Sequence, residues 1–273
     1  MSAAGTATFI SLTRRELLRF RRQPSRILAS IGAPAIMGVF FAGGFADSFA
    51  PPASTGSAGQ PSDYASFVLP GIVTLVAVFS SIFAAMSLIE DRREGFLQSA
   101  LVSPAPRWSI VGAKAIGGSI IATLQCAIVL LAAPIVAGWP GITGMLLALL
   151  AAALAAFAVT SMGLALAWWV NSSEGFHGVM NVILMPMWLL SGAFFPADGA
   201  TGWMNALMTI NPLRWTTDAI RAGITPGAPT PVTAWIVAAA FALGMLALAG
   251  AIVGRSTMTA RPRTRSRKRP AHD

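Results

Sequence analysis

Apolar runs of about twenty residues, free of charge or nearly so, recur six times along the chain. A bilayer core takes about 20 apolar helical residues per crossing. The pattern therefore predicts six transmembrane helices, at about 27–45, 65–89, 109–137, 144–170, 178–195 and 232–254. Spans three and four are separated by Gly138-Trp139-Pro140-Gly141, a turn that forces an antiparallel hairpin. Spans two to six hold no Asp, Glu or Arg in their interiors. Lys114 sits a few residues into span three, close enough to an end to snorkel.

Three further segments carry more pattern than a span or a plain loop requires. At helical spacing Phe9, Leu12, Leu17 and Phe20 share one face of an N-terminal helix and most arginines take the other, with Glu16 interrupting the apolar stripe. Such a helix lies in the headgroup layer. It reads either as a basic anchor for span one or as a place where Glu16 meets a cytoplasmic partner. The stretch 90–108 begins Glu90-Asp91-Arg92-Arg93-Glu94-Gly95-Phe96, carries Leu97 and Leu101 at i, i+4, and ends at Pro104 and Pro106. Acids first and apolar residues on one face predict a short helix between spans two and three, either solvated or docking a partner. The connection 196–231 is unusually apolar for a loop. Asn211-Pro212 divides it into two helical pieces, and Arg214, Asp218 and Arg221 stand at spacings that let them neutralise one another. An apolar segment with paired charges should dip back into the membrane and roof the bundle.

Charge fixes the sidedness. Of 19 Lys and Arg, all but Arg214 and Arg221 fall in the N-terminal segment, the second-to-third connection and the C-terminal tail. Positive-inside bias puts both termini in the cytoplasm. Trp108, Trp139, Trp168, Trp169 and Trp235 fall at span ends, as interfacial rings do. Residues 1–26 thus read as a cytoplasmic amphipathic helix, 27–254 as the membrane domain and 255–273 as a basic cytoplasmic tail without fixed structure. Residues 1–23 show no cleavable-signal pattern. The loop 47–63, rich in Gly, Pro and Ser, is external.

Composition agrees with this reading and excludes others. The chain has 273 residues, 55% hydrophobic and 11% charged, against roughly 25% charged in a soluble domain. Its net charge of +9 flanks the spans, which argues for a bilayer and against nucleic acid. The single cysteine, Cys126, lies in an apolar run and forms no intrachain disulfide. Two histidines, His177 in a cytoplasmic turn and His272, have no ligand partners at metal spacing, so no metal is expected. No G-x-x-x-x-G-K-[ST] occurs, so no P-loop binds ATP here. Without intramembrane carboxylates, proton or sodium coupling is disfavoured as well. Uphill transport would need energy from another polypeptide.

Three stretches resemble one family. They are Arg19-Phe20-Arg21-Arg22-Gln23-Pro24 before span one, Glu90 to Leu97 followed by Ser103-Pro104-Ala105-Pro106-Arg107, and Leu190-Ser191-Gly192-Ala193-Phe194-Phe195-Pro196 with Asn211-Pro212-Leu213-Arg214 and Arg221. In order they resemble the lead-in helix, the coupling segment and the external re-entrant hairpin of the ABC-2 type permeases, closest to the daunorubicin-resistance-like and nodulation-factor-export-like members. Phe96 departs from the small polar residue many relatives have, and the Arg-rich tail exceeds what the family needs.

The resemblance implies an all-α fold of six transmembrane helices with an interfacial lead-in helix and a re-entrant hairpin between helices five and six. It implies a permease and not an enzyme, paired with a second copy in a homodimer over cytoplasmic ATPase subunits that bind ATP and Mg, leaving no cofactor in this chain. Coupling falls to Arg92, Arg93, Glu94, Gly95, Phe96, Leu97, Leu101 and Pro104, with Glu16, Arg19 and Arg22 on the lead-in helix. Gln125, Asn181, Met185, Met187 and Trp188 are candidates for the path of an amphiphilic drug, lipid or glycolipid leaving the cytoplasm, against ordinary helix packing. The hairpin is marked by Asn211, Pro212, Arg214, Asp218 and Arg221. Gly250 and Gly254, with the Ala-rich face of span four, are candidates for the dimer seam. A membrane assembly protein without transport is the alternative, and an intramembrane enzyme would act without ATP.

Overall fold

The computed structural model describes residues 3–45, 64–96, 106–170, 172–197, 200–225 and 231–255. The elements are α1 (Ala3–Arg21), α2 (Pro24–Gly44), α3 (Tyr64–Arg93), α4 (Arg107–Leu130), α5 (Ala133–Val136), α6 (Gly141–Ala167), α7 (Ser173–Leu189), α8 (Gly202–Ile210), α9 (Pro212–Ile224) and α10 (Val232–Arg255). Among the described residues there is no strand. Among the described residues, five stretches are long and apolar enough to cross a membrane: Pro24–Gly44, Tyr64–Arg93, Trp108–Val136, Gly141–Ala167 and Val232–Gly254. The fifth predicted span is displaced toward the N-terminus and is not among these five. It is α7, 17 residues long, or about 26 Å at 1.5 Å per residue.

Each boundary that differs from the expected one has a local cause. Ser172 caps α7 by accepting from the Gly175 N–H at 3.0 Å, so the helix starts early and takes in His177. It ends early because the Ser191 hydroxyl donates to the Trp188 carbonyl at 2.5 Å and Gly192 adopts φ +75°. Span three is two helices, because Pro134 lacks an N–H and cannot continue the ladder from α4. The charged stretch at 90–93 is no separate helix. It is the last turn of α3, stopped at Gly95 with φ +75°. The expected turn between spans three and four is present, with Gly138 and Gly141 both at positive φ.

α3 is the axle of the bundle, buried along almost its whole length. α6 packs beside it through small residues: Ala148, Ala151, Ala152, Ala155, Ala156 and Ala158 are all buried within the bundle. That alanine face is spent inside the chain and is not a dimer seam. Lipid tails are as apolar as leucine, so membrane helices gain from close backbone approach instead. A Cβ at Gly118 of α4 would stand 2.7 Å from the Ala84 Cβ and 2.9 Å from the Thr160 Cγ2, which locks α4 against α3 and α6. At the other end, a Cβ at Gly223 of α9 would meet the Ala148 backbone N at 2.6 Å. Gly250 and Gly254 have no neighbour within 4 Å of such a Cβ and face away from their own bundle.

Buried hydroxyls and amides tie the axle to its neighbours. Thr74 and Thr217 share a hydrogen bond of 2.9 Å, Ser80 donates to the Gln125 Oε1, and Thr160 donates to Ser81 at 3.0 Å. Ser81 in turn donates to the Ala156 carbonyl at 3.1 Å, and the Cys126 thiol to the Val73 carbonyl at 3.5 Å.

Candidate functional site at the charged end of α3

The last turn of α3 meets every neighbouring helix at that end of the bundle. Because consecutive helical residues project about 100° apart, five in a row reach five directions. Glu90 pairs with Arg26 of α2 and with Arg19 of α1 at 3.1 Å. Asp91, fully buried, receives Arg15 at 2.9 Å and Arg19 at 2.7 Å from α1, and Lys114 of α4 at 2.6 Å. Arg92 turns to α6 and donates to the carbonyls of Ala167 at 3.2 Å, Trp168 at 3.1 Å and Val170 at 3.3 Å, its guanidinium 5.3 Å from the Trp168 ring centre. Arg93, half exposed, lies 3.9 Å from Glu174 of α7. Glu94 accepts from Arg19 at 3.1 Å.

Lys114 does not snorkel. It is buried, 2.8 Å from Glu16 and 3.1 Å from the Ser87 hydroxyl. Glu16 therefore faces inward, accepting from Ser87 at 3.1 Å, and its place in the apolar stripe of α1 is that of a buried ion-pair partner. Of the predicted apolar stripe, Phe9 packs on Gly112 of α4 and Leu12 against the core, but Arg15 and Arg19, expected on the opposite face with the other arginines, also reach into the bundle. The acids Glu16, Glu90, Asp91 and Glu94 balance the bases Arg15, Arg19, Arg26 and Lys114. A buried charge left unpaired costs several kcal/mol, on the order of 3–5, so this neutrality is what lets the cluster sit below the surface. Burial alone would lower the Arg15 pKa, but the hydrogen bond and charge of Asp91, with Glu16 and Glu94, raise it above the ordinary arginine value.

Of the residues predicted to face a partner, Arg92, Glu16 and Arg19 thus bind within the chain, and Phe96 stacks under the Arg15 guanidinium at 3.7 Å. Arg22 is exposed. With Ile10, Arg14, Leu18 and Glu94 it lines an open basin of about 1030 Å³ along the outer side of α1. Leu97, Leu101 and Pro104 lie outside the described residues. The sequence reading passed over Arg15, Arg26, Asp91 and Lys114 as a cluster. Lys114 was the available signal, since an ionisable residue inside an apolar span demands a partner of opposite charge.

The predicted cargo-path residues separate into two groups. Trp188 is buried, its indole N–H donating to the Gly71 carbonyl at 2.8 Å, and Gln125 is buried against Ser80. Both clasp neighbouring helices together. The Met187 carbonyl accepts from Asn211 at 2.5 Å. Asn181 and Met185 lie on the partly exposed side of α7. There Phe79 and Phe83 of α3 are also partly exposed, with Met37 of α2 packed near Phe79 and His177 of α7 6.1 Å from the Phe83 ring.

At the far end, the sequence-predicted break holds. The Asn211 side chain caps α9, accepting from the Leu213 N–H at 3.1 Å. Arg214 lies 3.6 Å and Arg221 2.8 Å from Asp218. Arg221 also donates to the Gly192 carbonyl at 2.6 Å and lies over the Phe67 ring at 4.8 Å, fastening α9 to α3 and to the turn after α7.

An all-helical body with five membrane-length apolar helices and no candidate metal cluster among the described residues is the frame of a multi-pass membrane protein. Residues 7–225 match the family described as ABC-2 type transporter, and the chain belongs to that family. It is 30% identical over 158 residues to the "Probable multidrug ABC transporter permease YbhR" of Escherichia coli (strain K12), covering 57% of this chain and 43% of that protein. The chain therefore spans less than half the length of that relative. It is 24% identical over 232 residues to the "Daunorubicin resistance ABC transporter permease protein DrrB1" of Streptomyces coeruleorubidus, covering 80% and 76% respectively. Against the "Putative transport permease ycf38" of Cyanophora paradoxa the identity is 24% over 212 residues, 77% of this chain and 71% of that protein.

Proposed function

We propose that this chain is the membrane subunit of an ATP-driven exporter, moving an amphiphilic drug-like, lipid or glycolipid cargo out of the cytoplasm with energy from a separate ATPase subunit. The observation that carries the reading is the last turn of α3, where residues 90–94 reach α1, α2, α4, α6 and α7. A force applied just beyond that turn reaches five other helices at once. The stretch 92–104, expected from the resemblance to meet the ATPase, begins there. The basin along α1, lined by exposed Arg14 and Arg22 together with Ile10 and Leu18, offers an acidic and apolar partner surface a place beside it.

In this reading α7 is the fifth of six crossings, short enough to need local thinning of the bilayer, and α8 and α9 re-enter the outer leaflet. Both ends of the chain are cytoplasmic, as the basic residues require. A second copy completes the transporter. The cargo meets the face where α2, α3 and α7 leave Phe79, Phe83, Asn181 and Met185 uncovered. Flat rings and adaptable thioethers suit varied apolar ligands, and the few intramembrane charges suit an amphiphile better than a small ion.

The test is co-purification with a P-loop ATPase encoded beside it, followed by cargo-stimulated ATP hydrolysis in lipid vesicles. We expect Phe79→Ala with Met185→Ala to weaken that stimulation at least several-fold for apolar drugs. A chain that binds no such ATPase, or that is insensitive to changes at 93–104, sinks the proposal.

A further inference from the structure

α6 is the helix through which the two ends of the bundle touch. At the charged end its final carbonyls have no intrahelical partners, and its last turn holds no basic residue of its own. Arg92 of α3 supplies the missing cation, bridging the carbonyls of Ala167, Trp168 and Val170 and lying over the Trp168 ring. A guanidinium is a rigid planar fork of five donors, and the partial negative charge at a helix C-terminus favours a cation there. At its other end α6 meets α9 backbone to backbone. A Cβ at Gly223 would stand 2.6 Å from the Ala148 N, and one at Gly144 2.4 Å from the Gly223 carbonyl oxygen. The backbone contact with α9 has no slack, and both contacts stand on one 27-residue helix without an internal proline.

We infer that Arg92 is a positioning residue that makes α6 a push-rod, carrying displacement of the end of α3 through the membrane to α9. Its partner is the α6 terminus and not an ATPase surface. Movement of the 90–94 turn draws the α6 carbonyls with it, and the Gly144–Gly223–Ala148 contact passes the shift to α9. Arg221 then relays it to the turn at Gly192. This rests on the exporter reading, because it assigns how that machine is coupled.

The experiment reconstitutes the full-length permease with its ATPase in lipid vesicles and measures cargo exported per ATP hydrolysed. Coupling free energies between sites run about 1–3 kcal/mol, so Arg92→Gln should lower that ratio by about tenfold. Arg92→Lys should lower it less, since one ammonium cannot bridge three carbonyls. Simple loss of folded protein lowers export and hydrolysis together and leaves the ratio unchanged. Amide exchange over 164–170 should also quicken in Arg92→Gln, as the helix end loses its cap. A wild-type pair that exports, with Arg92→Gln keeping a normal ratio, overturns this inference alone. A wild-type pair that never exports on ATP overturns the exporter reading and takes this inference with it.

Discussion

Lys114 shows how much one side chain can hold. Its ammonium contacts Asp91, Glu16 and the Ser87 hydroxyl, all buried or nearly so. Lys114→Met keeps most of the volume but takes one cation from each of two carboxylates. Removing one partner of a buried pair typically costs about 3–5 kcal/mol, so thermal unfolding in detergent should shift clearly downward. The double change Lys114→Met with Glu16→Gln should recover part of the loss and not all, because Asp91 still lacks one of its three cations. If Lys114→Met unfolds at the wild-type temperature, the cluster is not the anchor described here. Arg26 and Ser87, by contrast, gave no sign in the sequence of belonging to this cluster. Their pairing depends on how α1 and α2 lie across α3, which no local pattern encodes.

Single elements repay the same attention. The α8–α9 break is held by Asn211, which caps α9 and ties it to Met187 at the end of α7. Asn211→Ala removes both bonds, and loss of a cap costs about 0.5–2 kcal/mol. Amide exchange in the first turn of α9 should rise accordingly. Gly223→Val is harsher, since its Cβ meets backbone and not a flexible side chain tip. Overpacking of this kind costs roughly 1–3 kcal/mol, and the variant should unfold earlier with α9 displaced from α6. Element type and the Asn211-Pro212 break were legible in the sequence because periodicity and turn chemistry are local. Element ends were less so. The stretch 90–108 reads as starting a short helix of its own because acids come first and Leu97 and Leu101 share a face. Here partners from α1, α2 and α4 neutralise those acids and let α3 continue.

On the scale of the molecule, hydropathy and basic residues gave the bundle and its proposed orientation, while the sharing of α3 and α6 as central helices lay in small-residue contacts that no hydropathy plot shows. Orientation is open to direct test. Cys126 is buried against Val73, so the native thiol should stay silent toward maleimides in the folded protein. A membrane-impermeant maleimide on intact cells should then label Thr201→Cys, at the exposed start of α8, and spare Arg14→Cys on α1. The reverse labelling would invert the proposed topology.

The neutral cluster at the end of α3 also has a history in time. The ribosome delivers Arg15, Arg19 and Arg26 before Asp91, but Lys114 emerges only afterwards, with the following helix. Until then the nascent chain carries an acid-rich knot with one cation missing, and α3 cannot settle to its final depth. Biogenesis of this protein should therefore stall, or recruit an insertion chaperone, at chain lengths that end between the third and fourth helices.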